Sequence, residues 1–483
     1  MSAPPSTAAG WRTVTGLEVH CQLGTKTKLF CGCAAEFGAL PNTHVCPVCS
    51  GAPGTLPVLN AEAVRLALRA ALALGCSVDL TSRFDRKHYF YCDLPKGYQI
   101  SQYARPLGTG GGILLASGRF VRLRRIHLEE DAGKAIHDRG PETLVDLNRA
   151  GIPLIEIVSE PDLESSDEAH EYLARLKETL QFAGVSECDM EKGSLRCDVN
   201  VSVHKAGEPW GTRIELKNLN SFKNVVAALE HEVVRQIGER ESGRDLHQET
   251  RLWDAERGET RVMRSKENED DYRYFPDPDL PPVALSAEDL ERARSELPEL
   301  PAARRARWQA ELGLSSYDAG VLSASRGMAD FFEETARLSQ APKEAANWLA
   351  NDVAAALTEA RVETPGELGL TPQRMSELIA LVSEGALSRS GAKRVFAAML
   401  ASDVAPERLV RELGLAQVSD ERTIEAWCRA ALKGQEKAAA DVRAGELKAL
   451  GTLIGRVMKA SAGRANPELV RATLLRLIKS PLT

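Results

Sequence analysis

The sequence predicts an α+β fold, a mixed body of strands and helices followed by domains that are all α. Three observations carry this. Short runs with a two-residue apolar repeat, such as RCDVNVSV (196–203) and TRIELKN (212–218), alternate with stretches of helical spacing as far as about residue 292. A proline run, FPDPDLPPV (275–283), then interrupts the chain with residues that neither a helix nor a central strand tolerates. Beyond it the chain is rich in Ala, Leu, Arg and Glu at helical spacing nearly to its end.

In chain order, residues 1–10 are expected to be a short disordered tail: they have Ser, Ala and Pro, but neither the basic nor the apolar segment of a signal peptide. Residues 11–292 form the mixed body. One helix is expected after Asn60, through AEAVRLALRAALALG. Another follows Ser165, where Ser165-x-x-Glu168 reads as a capping box, Leu173, Leu176 and Leu180 share a face, and Gly184 is placed to end it. A third runs from about Ser221 to Ile237. GTGGG (108–112) lacks the GK[ST] of a phosphate loop and is read as a hairpin turn. A break near Ala401–Pro406 divides the rest into a helical domain, 293–405, and a helical tail domain, 406–483.

A chain of 483 residues is too long for a single core. Hydrophobic residues at 43% and charged residues at 27% are those of a soluble globular protein. No apolar run approaches the roughly 18–20 residues of a membrane span, so no membrane partner and a cytoplasmic location are expected. The net charge of −7 hides an asymmetry, because from residue 405 onward there are 14 Lys/Arg against 9 Asp/Glu. Arg456, Lys459, Arg464 and Arg471, with Arg476 and Lys479, are spaced along helices so as to follow a sugar-phosphate backbone, although an ordinary solvated surface has the same composition. All nine histidines lie between His20 and His247, which places any chemistry in the mixed body.

Two close cysteine pairs, Cys31/Cys33 and Cys46/Cys49, suit a tetrahedral zinc knuckle. Four protein thiolates leave no open coordination position, so such a site is structural. The alternative is four reduced, unligated thiols. The other six cysteines are read as ordinary buried residues.

Carboxylates also stand where strands should be apolar. Glu18 and His20 are two apart in TVTGLEVHCQL and so face one side. Glu156 interrupts GIPLIEIVSEPD; Asp198 and Asn200 oppose the apolar face of RCDVNVSV; Glu129, Glu130 and Asp131 stand together in IHLEEDAGK. Such carboxylates need a cation or hydrogen bonds. Several facing one cavity would form an oxygen-rich site of the kind Mg²⁺ takes beside phosphates. Each alone is as well explained by a pairing arginine. Strict alternation puts Glu129 and Glu130 on opposite faces unless a bulge intervenes. The segment FDRKHYFYCDLPKGYQISQYARP (84–106) mixes tyrosines with Lys87 and Lys96, as a phosphate-handling wall or an exposed hairpin packed on the knuckle would.

Read in order, GLEVHCQL, HVCPVCSGAPGTLPVLN, RKHYFYCDLPKGYQISQY, HLEEDAGK, DLNRAGIPLIEIVSEPD, GSLRCDVNVSV, TRIELKNLNSF, SKENEDDYRYFPDPDLPP and the tail's KASAGRANPELV resemble the B-subunit (GatB) family of bacterial tRNA-dependent amidotransferases. The resemblance spans nearly the whole chain. It implies a glutamine-synthetase-like cradle domain, then a helical domain and a tail domain that binds tRNA through residues such as Arg456, Lys459, Arg464 and Arg471. It implies an enzyme that uses ATP to phosphorylate the side-chain carboxylate of Glu-tRNA(Gln), Asp-tRNA(Asn) or both. Ammonia released by the glutaminase (A) subunit then forms the amide, and a heterotrimer is completed by a small C subunit. On this resemblance Glu18, His20, Glu129, Glu130, Glu156 and Asp198 match the metal and phosphate site. Glu18, Glu129 or Glu130, Glu156 and Asp198 are the expected Mg²⁺ ligands, and His20 is a ligand or orienter. Lys87 and Lys96 are expected at phosphate or on the ammonia path. The rival reading is a non-catalytic tRNA-binding scaffold. A free-standing ammonia ligase would have no use for the basic tail.

Overall fold

Trp11–Gln22, a long strand of apolar alternation, lies in the middle of a sheet that has 14 strands among the described residues. In the computed structural model, which describes residues 10–137, 140–265, 269–418, 420–444 and 446–479, residues 1–9 of the expected tail lie outside the described residues. From one edge the main path of the sheet runs Glu259–Ser265, Glu249–Asp254, Ile214–Leu219, Leu195–Lys205, Trp11–Gln22, Pro153–Ser159, Phe120–Glu130, Tyr98–Arg105, Thr81–His88 and Phe275–Pro276. Neighbours on this path are antiparallel except Ile214–Leu219 with Glu249–Asp254. That parallel pair needs a crossover, and the helix Phe222–Glu241 supplies it.

Leu17, Val19 and Cys21, with Ile155, Ile157, Val199 and Val201, turn to one face and enter a core with Leu173, Leu176 and Leu180 of the helix Ser166–Phe182 and with Val225 and Leu229 of Phe222–Glu241. The helices therefore cover one face of the central strands, and the polar residues in between are left to the other.

The expected helices form at their expected caps. Asn60 caps Ala61–Ala73 through its side chain, and Ser221 caps Phe222–Glu241, which runs one turn past Ile237. Ser165 Oγ accepts from Glu168 N at 3.1 Å, but the capping box is only half made, because Glu168 Oε2 accepts from Glu164 N at 2.8 Å. Gly184 ends this helix at φ +65°.

GTGGG is not a hairpin turn. Gly108–Thr109 and Gly112–Leu114 both pair antiparallel with Phe120–Glu130, so the chain keeps its direction through the glycines and reverses between Leu115 and Arg119. A Cβ on Gly111 would sit 2.4 Å from Leu74 O, so the glycine serves close packing against the end of Ala61–Ala73. The proline run is laid along an edge, where Phe275–Pro276 and Val283–Ala284 pair with Thr81–His88.

The chain divides into two compact units after Pro301. The second is built of helices. Trp308 meets Phe332 edge-on at 4.9 Å, and Ile424, Cys428, Leu453, Val457, Val470 and Leu474 form a core of their own towards the C-terminus. Arg456, Lys459, Arg464 and Arg471 are exposed on or beside Leu447–Ala460 and Pro467–Lys479. Among the described residues no helix is long and apolar enough to cross a membrane.

Candidate active site

Strand register brings the polar faces together. Glu18 lies opposite Asp198, and His20 lies between Arg196 and Glu156. Glu156 pairs with His127, Glu129 with Ser101, and Asn200 with Glu215. Glu18, Glu129, Glu156, Asp198 and Glu215, from five strands, thus share one face and line a cavity of about 1000 Å³.

Two groups stand out within it. In the first, His20 Nε2 lies 3.3 Å from Glu129 Oε1 and 3.6 Å from Glu156 Oε2, while His127 Nε2 lies 3.5 Å from Glu129 Oε2 and 3.3 Å from Glu156 Oε2. Burial works against a charged imidazole at His20, but the hydrogen bond it donates to Glu129 and the charges of Glu156 and Glu129 outweigh it and push its pKa up to about 9. Burial likewise opposes ionisation of Glu156, and the charge and hydrogen bond of His127 overcome it, lowering the pKa to about 2. In the second group, Lys217 Nζ is 2.5 Å from Asp198 Oδ2 and 3.3 Å from Glu215 Oε1. Beside them Glu18 Oε1 accepts from Asn200 Nδ2 at 2.9 Å. The pKa of Glu18 is raised, first by burial and then by the charges of Glu156, Glu215 and Asp198.

That shift bears on the expected metal. A buried carboxylate whose neighbours are mostly negative is short of positive charge, which a divalent cation would supply. One ligand atom from each of His20, Glu129 and Glu156 falls within 4.8 Å of the others, so this donor set fits an ion as well.

Glu130 is elsewhere. The register shows no bulge between Glu129 and Glu130, and Glu130 turns to the other face, where it pairs with Lys96 and accepts from Ile100 N at 2.9 Å. The two lysines of the tyrosine-rich segment divide in the same way. Lys87 lines the cavity with its Nζ 4.7 Å from the centre of the Tyr272 ring, whereas Lys96 packs on the knuckle, 2.8 Å from where a Cβ on Gly51 would stand. Tyr103 and Tyr274 stack at 4.0 Å in the same cavity wall.

The sulfurs of Cys31, Cys33, Cys46 and Cys49 all lie within 4.8 Å of one another, a donor set that fits zinc. Of the cysteines expected to be buried, Cys92 is exposed; Cys21 and Cys188 are buried with their sulfurs 3.7 Å apart.

Residues 13–291 match the family model described as the GatB/GatE catalytic domain, and residues 330–478 match one described as the GatB domain. The chain belongs to the GatB/GatE family. It is similar over nearly its whole length to proteins named as the B subunit of aspartyl/glutamyl-tRNA(Asn/Gln) amidotransferase. That of Pelodictyon phaeoclathratiforme is 49% identical over 473 residues, 97% of this chain and 99% of the relative. Those of Brevibacillus brevis and Elusimicrobium minutum are each 48% identical, covering 97% and 96% of this chain and 99% of each relative. The resemblance read from the motifs is borne out.

Within this GatB/GatE catalytic domain the structure gathers Glu18, His20, Glu129, Glu156, Asp198 and Lys87 at one cavity, and sets Glu130 and Lys96 apart from it. His127, Glu215 and Lys217 were not singled out from the sequence. Their signal was available: Glu215 and Lys217 alternate with apolar Ile214 and Leu216, as Asp198 and Asn200 alternate with valines, and His127 is two residues from Glu129.

Proposed function

We propose that this chain is the ATP-using, tRNA-binding subunit of an amidotransferase that converts Glu-tRNA(Gln), Asp-tRNA(Asn) or both to the amide. The observation that carries the reading is the single open face of the sheet on which Glu18, His20, Glu129, Glu156 and Asp198 converge beside Lys87, Lys217 and Arg125. Carboxylates and cations side by side are what the meeting of two anions, an acyl carboxylate and a triphosphate, requires.

In this reading the side-chain carboxylate of the misacylated tRNA attacks the γ-phosphorus of ATP and ADP leaves. Ammonia then attacks the acyl carbon, inorganic phosphate leaves, and the nitrogen gives up a proton to become the amide. The reacting carboxylate comes with the tRNA, so no protein nucleophile is required. Glu18, Asp198 and Glu215 on one side, and Glu129 and Glu156 with His20 on the other, would hold Mg²⁺. When bound, the metal screens the phosphate charge from the incoming carboxylate. Lys217 keeps Asp198 and Glu215 from repelling one another, and Lys87 faces the phosphates. Lys96 and Glu130, paired behind the sheet, are assigned to the ammonia path. Ammonia is supplied by the glutaminase (A) subunit, with a small C subunit in the assembly.

The mostly antiparallel sheet with helices behind it and carboxylates in front supports a glutamine-synthetase-like cradle for residues 11–292. Residues 293–405 are read as a helical domain and 406–483 as the tRNA-binding tail, on the strength of exposed Arg456, Lys459, Arg464 and Arg471. The cysteine centre holds structural Zn²⁺, and the assembly works in the cytoplasm.

The test combines this chain with its A and C partners, misacylated tRNA, Mg-ATP and glutamine, and follows amide and ADP. Amide formation that is lost in Glu18→Gln with tRNA affinity kept is the expected result. Tight tRNA binding without any ADP release would instead establish the scaffold reading.

A further inference from the structure

Lys28 is fully buried and has no part in the reaction proposed above. Its Nζ donates to His44 O at 2.7 Å, to Leu147 O at 3.1 Å and to Cys49 Sγ at 3.5 Å. The two carbonyls are neutral, and among the described residues Lys28 makes no ion pair with a carboxylate. A buried ammonium is costly without a counter-charge, and here the sulfur of Cys49 is the group able to carry one. Four thiolates around a divalent ion hold excess negative charge, so the two demands are complementary.

The second acceptor, Leu147 O, belongs to a turn that the knuckle grips at several points. Asn42, held at φ +59°, donates through Nδ2 to Val145 O at 2.9 Å and accepts from Leu147 N at 2.8 Å. His44 N donates to Asn148 Oδ1 at 2.8 Å, and Asn148 Nδ2 donates to Leu40 O at 2.7 Å. The turn continues into Arg149, which lines the cavity. Its guanidinium donates to Ala132 O at 2.9 Å and to Gly133 O at 2.7 Å and lies 3.6 Å from Asp131, which also lines the cavity. Gly151 N donates to Asp131 O at 2.8 Å, and Leu29, next to Lys28, donates back to Gly151 O at 2.8 Å.

We propose that Lys28 is a positioning residue that couples the four-cysteine centre to the Leu147–Gly151 turn, and through it fixes Arg149 and Asp131 in the wall of the cavity. A knuckle that merely pinned its own loop would have no need of a buried cation reaching across to that turn. The partners of a metal's ligands orient those ligands and tune the metal, so a partner that also holds a second segment ties that segment to the centre.

Hydrogen exchange read by mass spectrometry on the full chain tests this. The samples are zinc-loaded wild type, chelated wild type, and Lys28→Met before and after chelation. Chelation and Lys28→Met are each expected to speed exchange across 146–151 by about tenfold, and chelating Lys28→Met should add nothing there. Zinc release from Lys28→Met to a chromogenic chelator should be faster by about 10- to 100-fold. Asn42→Ala, which leaves the sulfurs and Lys28 in place, should speed exchange at 146–148 while zinc release stays at the wild-type rate. Exchange that changes only within 31–49, or effects of chelation and Lys28→Met that add, would overturn the coupling. If Lys28→Met fails to fold, the chelated wild type and Asn42→Ala decide. The inference rests on the proposed function only in expecting a raised KM for Mg-ATP in Lys28→Met. Faster exchange with an unchanged KM would retain the coupling and show that the cavity wall at Arg149 takes no part in binding Mg-ATP.

Discussion

Glu129 and Glu130 are neighbours in sequence and face opposite sides of the sheet. Glu129 meets His20 Nε2 at 3.3 Å within the cavity, while Glu130 accepts from Ile100 N at 2.9 Å and pairs with Lys96 behind it. Two adjacent carboxylates therefore answer to different environments, and substitution separates them. Glu129→Gln is expected to lower ADP release by about 100-fold or more, since it removes charge at the proposed reacting centre. Glu130→Gln should leave ADP release within a few-fold of wild type and slow amide formation alone. Equal loss of ADP release in both variants would contradict this division.

The Lys96–Glu130 pair is largely buried, so removing one partner strands the other. Glu130→Leu alone should destabilise the chain by about 3 kcal/mol, and Lys96→Met with Glu130→Leu should recover most of it. Denaturant melts of the single and double variants would read this. A double variant no more stable than the single would show that the pair is not energetically coupled.

For the metal-free protein the pH dependence of stability has a definite sign. The pKa of His20 is raised in the fold from its ordinary value near 6.5 to about 9, so the contribution is complete below the unfolded value and fades as pH rises through about 9. Glu156 is lowered from 4.5 to about 2, so its contribution is present above the unfolded value and is lost as pH falls towards about 2. Thermal midpoints in the presence of a chelator should decline from pH 7 to pH 9.5, and His20→Gln should flatten that decline. A midpoint that rises over the same window in the wild type would contradict the charge assignment.

In the second unit, Arg456, Lys459, Arg464 and Arg471 are expected to meet phosphate. Arg456→Ala with Lys459→Ala should weaken tRNA binding similarly for different tRNAs. It should also reduce the slope of log affinity against log salt by roughly 0.7 for each phosphate no longer neutralised. ADP release at saturating tRNA should be unchanged. A preserved salt slope would move the tRNA interface away from these residues.

Much of the site was legible because a strand repeats every two residues. Glu18 and His20, and Asp198 and Asn200, had to share faces whatever the fold, and the same rule placed Glu129 and Glu130 apart once the register proved free of a bulge there. His127, Glu215 and Lys217 obey that rule too. A lone histidine or an alternating Glu-x-Lys reads equally well as a solvated strand face, so the repeat alone does not assign them to a site. The hairpin expected at GTGGG failed for a different reason. Glycines mark close approach as well as chain reversal, and only the position of Leu74 O shows which of the two applies.

By itself, then, the sequence determined the mixed body followed by helices, the caps of three helices, the four cysteines of one centre, the family, and which side chains of each strand lie together. These follow from local periodicity and from motifs contiguous in the chain. Tertiary structure decided which strands are neighbours, and with that which carboxylates meet which cations: His20 between Glu129 and Glu156, Lys217 against Asp198, Lys28 against Cys49. Charge interactions are set by distances of a few ångströms between residues far apart in the chain. Strand register fixes those distances, and no short window of sequence contains it.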